Sequence, residues 1–249
     1  MTGEPGSFRA VWDRAGAVEG WLTPEQGWEL FDAARRLGPG ATIVEIGSFR
    51  GRSTIVLAAS GPSDAEVVAI DPHGGGDRGP QEITPDAARG DADHAAFTGN
   101  LATAGVESRV RHVRKLSADA LDDVSGEVDL LFVDGAHRLG PARADIVRWG
   151  DRVGDGGTML VHDAFSSVGV TLALLSTTAI SRRWRYAGRV GSLAEFRRTD
   201  LSFRDRLFDA ARQAVQLPWF ARNLAIKCLI VVRLGRLTRL LGHRGGWPY

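Results

Sequence analysis

Short apolar runs rich in β-branched residues alternate with segments whose apolar side chains recur at helical spacing. The runs that predict strands cover residues 42–46, 66–70, 110–113, 128–133 and 158–161. The segments that predict helices cover residues 24–37, 53–59, 93–104, 141–149 and 172–179. Strands that alternate with helices in this way form a parallel sheet with right-handed crossovers. The expected fold class is therefore α/β: a Rossmann-like, doubly wound, mostly parallel sheet with flanking helices and a C-terminal helical basic extension.

The chain divides into three predicted parts: an N-terminal helical segment (1–40), an α/β domain (41–199) and a basic amphipathic helical tail (200–249). Thr23 and Gln26 form a capping box at the start of the first predicted helix. A strand pair within 184–196 is expected to close the domain, and Pro218 separates two helical stretches of the tail. Residues 73–91 are rich in Gly, Asp and Pro and predict a long loop, which in a compact domain is functional or mobile.

The overall composition is that of a globular protein. The 249 residues are 43% hydrophobic and 24% charged, and no run reaches the length of about 18 apolar residues that a membrane span needs. The single cysteine excludes a disulfide framework and a cysteine-based zinc site within one chain. Because the first residues lack the pattern of a signal peptide, a cytoplasmic location is expected.

The net charge of +1 hides an asymmetry, because residues 201–249 carry nine basic and two acidic residues. Two apolar stripes run along this tail: Phe203, Leu207, Phe208, Ala211 and Val215, then Ile230, Leu234, Leu237 and Leu241. The first interpretation is that the tail packs on the domain or on a second subunit, which would make the protein a homo-oligomer. The second is a peripheral membrane contact with anionic lipid. Nucleic acid is disfavoured because the tail has no recognisable nucleic-acid motif.

Candidate ligand-binding residues follow the predicted strands, since ligands of open parallel sheets bind at the carboxyl ends of the strands. Gly47 and Gly51 lie in the turn after the first strand, where glycine lets the backbone turn sharply and approach a ligand. This turn is not the dinucleotide pattern, since Phe49 replaces its second glycine, and it lacks a phosphate-loop lysine. The alternative interpretation is a tight strand-to-helix turn that binds no ligand. Asp71 at the end of the next strand adds a carboxylate that can accept both hydroxyls of a ribose.

The sequence E-I-G-S-F-R-G-R-S-T followed by A-I-D-P resembles the S-adenosylmethionine (SAM) binding region of class I methyltransferases. The later stretches D-L-L-F-V-D-G-A-H and G-G-T-M-L-V-H-D-A-F resemble one branch, the metal-dependent macrolide-sugar O-methyltransferases such as macrocin and mycinamicin O-methyltransferases. The resemblance covers about residues 20–165 and leaves the tail out. It implies that 41–199 is a SAM-binding methyltransferase domain.

The resemblance also assigns roles to individual residues. Cofactor-binding positions would be Glu45, Gly47, Ser48, Gly51 and Ser53 at the methionine end of SAM, Asp71 at the ribose, Ser117 near the adenine, and Asp134. His137 would be the general base, and Asp134 and Asp163 would bind a divalent metal, Mg²⁺ or Mn²⁺. Two carboxylates at neighbouring strand ends can hold a hard cation, and an imidazole accepts a proton near neutral pH.

His162 departs from the resembled branch, which places an acid beside the second aspartate. Histidine is a poorer ligand for Mg²⁺ than for Mn²⁺, Fe²⁺ or Zn²⁺, so His162 is a candidate metal ligand that leaves the identity of the metal open. It could instead orient substrate or pack in the wall of the site. An ion-pair network without metal is the alternative for the whole group.

The leading hypothesis is a SAM-dependent O-methyltransferase that acts on a hydroxyl of a small-molecule or glycolipid acceptor, such as a sugar or another secondary metabolite. One alternative is a related hydroxylase-like enzyme built on the same domain, because cephalosporin hydroxylase-like proteins share similar motifs. The other is a SAM-binding protein without catalysis. The tail is expected to affect where the enzyme works more than the chemical step.

Overall fold

A computed structural model describes residues 6–76 and 84–243 and contains one seven-stranded sheet. Its strands are β1 (Thr42–Ile46), β2 (Glu66–Ile70), β3 (Val110–Val113), β4 (Val128–Val133), β5 (Val153–Val161), β6 (Trp184–Val190) and β7 (Leu193–Arg198). They are ordered β3-β2-β1-β4-β5-β7-β6. The first five are parallel, whereas β7 is antiparallel to both of its neighbours. The predicted fold class and the closing strand pair are confirmed.

Helices cover both faces of the sheet. They are α1 (Phe8–Ala15), α2 (Pro24–Arg35), α3 (Arg52–Ser60), α4 (Ala87–Ala104), α5 (Leu139–Arg148), α6 (Val168–Thr177), α7 (Phe203–Ala214) and α8 (Leu217–Val231). Helices α1 to α4 pack on one face and α5 and α6 on the other. Successive strand residues point to opposite faces, so Val44 and Ile46 join one core while Ile43 joins the other.

Four strands have the predicted bounds, and the main differences lie outside the sheet centre. β5 begins five residues before the predicted 158, and α1 had not been predicted. Helix α4 begins at Ala87, where Asp86 accepts a hydrogen bond from the backbone N–H of Arg89. The predicted loop 73–91 therefore ends at residue 86, five residues earlier than predicted. Its residues 77–83 lie outside the described part of the chain.

The last apolar stripe of the tail was predicted to lie on one helix face, and this prediction is wrong. Helix α8 ends at Val231, Arg233 has a left-handed φ of +62°, and Gly235–Leu241 continues as a 3₁₀-helix. A 3₁₀-helix has three residues per turn, so Leu237 and Leu240 share one side of it and Leu241 lies on another.

Helix α7 buries its polar side and exposes its apolar side, which is the reverse of an ordinary amphipathic helix. Its buried residues are the polar Asp209 and Gln213. Asp209 accepts hydrogen bonds from the backbone N–H of Tyr186 at 2.8 Å and from Nε2 of Gln213 at 2.9 Å. The hydroxyl of Thr178 donates to Gln213 at 3.0 Å. These bonds hold the polar side of α7 against β6 and the end of α6, and the apolar stripe faces outward.

Candidate active site

The loops that follow β1, β4 and β5 place the predicted site residues Gly47, Asp134 and His162 side by side. The backbone N–H of Asp134 donates to Ile46 O at 2.8 Å, and that of His162 donates to Val133 O at 2.9 Å. On the other side of β1, Gly47 N donates to Ile70 O at 2.9 Å, which places the glycine turn beside the end of β2. The sheet ladder therefore continues just past the strand ends and aligns the loops that follow them.

Two histidines and two aspartates form the centre of this edge. Nδ1 of His162 lies 3.0 Å from Oδ1 of Asp134, and Nε2 of His137 lies 2.5 Å from Oδ2 of Asp163. His162 Nδ1 is also 3.9 Å from Asp163 Oδ2. His162 and Asp163 are buried, whereas Asp134 and His137 are partly exposed. The structure thus places the predicted base and all three predicted metal ligands in one group.

The charges of this group shift one another's protonation. Burial by itself lowers the pKa of His162, but Asp134 and Asp163 outweigh burial and raise it to about 9. Burial likewise lowers the pKa of His137, and its hydrogen bond to Asp163 reverses the effect and raises it above the ordinary value. Burial raises the pKa of Asp163, yet the two histidines and Lys227 hold it well below its usual range. Asp163 is therefore a buried carboxylate that stays ionised.

Lys227 of helix α8 also contributes charge to the surroundings of Asp163, and the sequence analysis did not identify it. Its Nζ donates to the carbonyl O of Ser166 at 3.0 Å and to the Ser166 hydroxyl at 3.1 Å. Asp163 and Phe165 in the same loop both have left-handed φ angles of +55°. Non-glycine residues adopt this region at a cost and cluster at functional sites. No local pattern could reveal Lys227, because the contact spans 61 residues.

Gln26 is a second residue whose role the sequence understated. The predicted capping box is present, with Thr23 N donating to Gln26 Oε1 at 2.9 Å. The same oxygen lies 3.3 Å from Nε2 of His162, and Gln26 Nε2 donates to the hydroxyl of Ser192. The buried side chain of Gln26 therefore both caps α2 and fixes the orientation of His162.

Glu45 is fully buried in β1 and faces α3. The hydroxyl of Thr54 donates to its Oε2. Burial raises the pKa of Glu45 to about 8, and the nearby hydroxyls of Ser53 and Thr54 offset only part of this rise. Its Oε1 and the hydroxyl of Ser48 are both buried and have no hydrogen-bond partner among the residues that the structure describes. Buried polar groups are normally hydrogen-bonded, so these two atoms mark a place where a polar ligand group fits.

The glycines of the turn are needed for packing within the protein. A Cβ on Gly47, whose φ is +86°, would lie 2.2 Å from the carbonyl oxygen of Asp134. Gly51 caps α3 with a φ of +92°, and a Cβ there would lie 3.2 Å from the ring of Phe97. A substitution at Gly47 would thus distort the contact between the loops after β1 and β4, whether or not a ligand is present.

Asp71 joins the loops that follow β1 and β2. Its Oδ2 accepts the backbone N–H of Phe49 at 2.9 Å, and its Oδ1 accepts that of His73 at 2.7 Å. His73 Nε2 in turn lies 2.7 Å from Phe49 O, and both residues have left-handed φ angles of +46°. Each carboxylate oxygen keeps a second lone pair, so Asp71 can still accept hydroxyl groups.

Ser117 lies in a short 3₁₀ turn after β3, at the same edge of the sheet. Its hydroxyl donates to Oδ1 of Asp145 at 2.5 Å, and its carbonyl oxygen accepts the indole N–H of Trp149. Burial raises the pKa of Asp145 to about 6. Ser117 is therefore anchored to α5, beside the loop that carries Asp134, and its predicted place near an adenine stays a prediction.

His73, the first residue of the predicted loop 73–91, is buried. Its ring packs with those of His94 and His112 at centroid distances of 5.2 and 5.0 Å, next to Phe97. Burial and the neighbouring histidines lower the pKa of His112 to about 4. This stack supports Asp71 from the side of α4 and β3.

The donor groups of Asp134, His162 and Asp163 fit a divalent cation in number and position. In the described ranges they are the one group of this kind whose ligand atoms all lie within 4.8 Å of one another. Two carboxylates and one imidazole suit Mn²⁺, Fe²⁺ or Zn²⁺ better than Mg²⁺. The same contacts also satisfy the ion-pair network that was the alternative interpretation.

Comparison with known proteins adds independent evidence. A family described as "Methyltransferase domain" matches residues 44–164. Among solved structures, an O-methyltransferase from Bacillus cereus in complex with S-adenosylhomocysteine (SAH) has a TM-score of 0.55 at 17% identity, and the alignment covers 80% of this chain and 93% of that one. The SAM complex of TomG from Streptomyces achromogenes, an O-methyltransferase involved in tomaymycin synthesis, has a TM-score of 0.51 at 20% identity, with coverages of 81% and 92%.

A third solved structure, the SAH-bound methyltransferase PaMTH1 from Podospora anserina, has a TM-score of 0.56 at 19% identity and coverages of 78% and 88%. Residues 44–164, just under half of the chain, match this methyltransferase domain family. The predicted enzyme class and fold are thereby confirmed, and methyl transfer is favoured over the hydroxylase interpretation. The macrolide-sugar branch and the individual site roles remain predictions.

We expect Glu45→Gln to stabilise the protein more at pH 8 than at pH 5. The pKa of Glu45 rises from an ordinary value of 4.5 to about 8 on folding. The stability this group contributes is present below the lower value and is lost as the pH rises through the upper one. Glutamine does not titrate and keeps the shape of the neutral acid. Urea unfolding at both pH values measures the difference, with exposed Glu107→Gln as the control. A difference from wild type that does not change with pH contradicts the prediction.

Proposed function

We propose that this methyltransferase transfers the methyl group of SAM to a hydroxyl of a small-molecule acceptor, in the class of sugars, glycolipids or other secondary metabolites. The observation that carries the proposal is the pair of unpartnered buried atoms at the end of β1, Glu45 Oε1 and the Ser48 hydroxyl. The matched methyltransferase domain and the SAM- and SAH-bound neighbours support the same cofactor.

The cofactor would lie across the ends of β1, β2 and β3. Glu45 and Ser48 would bind the methionine end, where an ammonium group supplies the donors that these two oxygens lack. Asp71 would accept the ribose hydroxyls, since the bonds to Phe49 and His73 already hold its carboxylate in place. The adenine would reach the turn at Ser117. The sulfonium would then face the loop that carries Asp134.

His137 would remove the proton of the acceptor hydroxyl. Because its Nε2 is bonded to Asp163 at 2.5 Å, the other nitrogen, Nδ1, is the atom that can accept a proton. Nδ1 is buried and has no hydrogen-bond partner within residues 6–76 and 84–243. Asp163 fixes the ring and stabilises the imidazolium that forms, and the acceptor oxygen can then attack the methyl carbon while SAH leaves.

Asp134, His162 and Asp163 would hold a divalent metal. Such an ion would lower the pKa of a hydroxyl bound to it and orient it towards the cofactor. Lys227 and Gln26 would act behind these residues, by fixing the Ser166 loop and the ring of His162. They touch neither reactant and are positioning residues.

Cofactor binding is predicted to depend on Glu45 and Asp71. Glu45→Gln and Asp71→Ala should each weaken SAH binding roughly tenfold or more, because glutamine cannot ionise beside the ammonium group and alanine removes the carboxylate that would accept the ribose hydroxyls. Calorimetric titration measures the affinity. Asp64→Ala, an exposed acid at the opposite end of β2, is the control and should bind like wild type. Unchanged affinity in both folded variants would contradict the assignment of Glu45 and Asp71 to cofactor binding.

Turnover is predicted to require divalent metal. EDTA should abolish methyl transfer, and Mn²⁺ should restore it better than Mg²⁺ because His162 is one of the proposed ligands. Asp134→Asn should raise the Mn²⁺ concentration needed for half-maximal activity and leave SAH affinity measurable. Full activity in metal-free buffer would remove the metal from the proposal and leave activation of the hydroxyl to His137 alone.

His137→Ala should lower kcat by about 10² to 10⁴, the usual contribution of general acid–base catalysis. SAH affinity and the melting temperature should stay near those of wild type. Radiolabelled SAM with candidate acceptors provides the assay, and scanning calorimetry provides the control for folding. Joint loss of stability and activity would assign His137 a structural role. A folded variant with wild-type kcat would make His162 the next candidate base.

A further inference from the structure

Helices α7 and α8 present a largely apolar face to the outside of the molecule, and exposed Arg204 is the charged residue that shares it on α7. On α7 this face consists of Phe203, Leu207, Phe208, Ala211 and Val215. Phe208 is 69% exposed and Val215 71%, whereas polar Asp209 and Gln213 are buried. A helix that exposes its apolar side and buries its polar side lacks a partner for the apolar side.

Helix α8 continues this apolar face. Five of its exposed residues recur every three or four positions and therefore share one side of the helix: Leu217, Ala221, Leu224, Cys228 and Val231. Asn223 and Ile226 on the opposite side are buried, and Lys227 reaches Ser166 of the catalytic loop. Both helices thus use one side to pack on the domain and leave the other side uncovered in the described structure.

The face ends in a segment where leucines and arginines alternate. Leu234, Leu237 and Leu240 are exposed, the last by 84%, and Arg233, Arg236 and Arg239 are exposed between them. In residues 201–249 the acids are Asp205 and Asp209, and the latter is buried. The uncovered surface is therefore apolar with a strong positive charge, and few acids oppose that charge.

A cleft beside the junction of α7 and α8 adds two further arginines. Arg189 and Arg212 line it together with Tyr186, Val215 and Gln216. The guanidinium of Arg189 lies 3.7 Å from the ring centroid of Trp219. Arg212 donates to the carbonyl oxygens of Tyr186 and Ala187. A guanidinium has five N–H donors, so both can also bind a phosphate that enters the cleft.

We propose that the α7–α8 face rests on the surface of an anionic lipid membrane. The apolar side chains would enter the boundary between headgroups and acyl chains, and the arginines would bind lipid phosphates. By length and composition alone, Phe203–Val231 could also cross a membrane. Asp209, Gln213 and Lys227 are bonded to the catalytic domain, however, so the helices lie along the surface with their other side on the protein.

A second copy of the chain fits this face less well. A twofold interface brings the same patch of each subunit together, so any acid that pairs with the arginines of one copy must come from the same patch of the other. Asp205 is the single exposed acid of the tail and cannot neutralise them. A lipid surface instead supplies many negative phosphates and apolar tails at the same depth.

The test is flotation of the full chain with vesicles of phosphatidylcholine alone and with vesicles that also contain phosphatidylglycerol. The wild type should float with the mixed vesicles. The double variant Leu207→Glu/Leu224→Glu should bind roughly a hundredfold less, because two leucines that would be buried in the lipid are lost. The triple variant Arg233→Gln/Arg236→Gln/Arg239→Gln should lose roughly a hundredfold of its affinity for the mixed vesicles. All substituted side chains are exposed, so melting temperatures should stay unchanged.

Matched controls lie at the opposite edge of the sheet, beside β3. Leu116→Glu and Arg111→Gln each make one substitution of the same type at an exposed position and should float like wild type. Wild-type chain that stays unbound with both vesicle types would overturn the proposal. Sedimentation velocity would then show whether Leu224→Glu splits a dimer, which would assign the face to a second copy. Equal binding to both vesicle types would overturn the requirement for anionic lipid. Each outcome is read without a methyl-transfer assay and is independent of the proposed reaction.

Discussion

The ionised carboxylate of Asp163 is the constraint around which the site is built. It is buried and held in a left-handed conformation, and a buried charge without partners is strongly destabilising. His137 comes from the loop before α5, His162 from the end of β5, and Lys227 from α8, and together they supply its compensating charges. The positions of these elements relative to one another thus depend on the carboxylate of Asp163 at the end of β5.

This constraint connects the tail to the catalytic centre. The asymmetry of charge suggested that residues 201–249 do a separate job, but Lys227 bonds to the loop that follows Asp163. One side of α8 therefore contributes to the electrostatics of the site, and the adjacent side carries the apolar stripe. A helix that contacts a membrane through the stripe would hold the catalytic loop at a defined height above the lipid, where the hydroxyl of an amphiphilic acceptor could reach it.

The sheet was predictable because its signal is local. Strands β1 to β4 are apolar runs bounded by turn residues, and such runs keep their bounds when buried in a parallel sheet. The order of Asp134, His162 and Asp163 at strand ends likewise followed from topology. Amphipathic spacing in α7 correctly showed that one side is apolar. It could not show that this side faces outward, because the orientation depends on Asp209 finding Tyr186 of β6.

The two interpretations of the central group, a metal site and an ion-pair network, require the same arrangement. Two carboxylates at neighbouring strand ends need positive charge between them, and either the imidazolium of His162 or a divalent cation can supply it. A cation bound there would replace the proton on His162 and leave His137 and Lys227 in place beside Asp163. Lys227 thus contributes a positive charge in both cases, which explains why a half-buried lysine from a distant helix is part of the site.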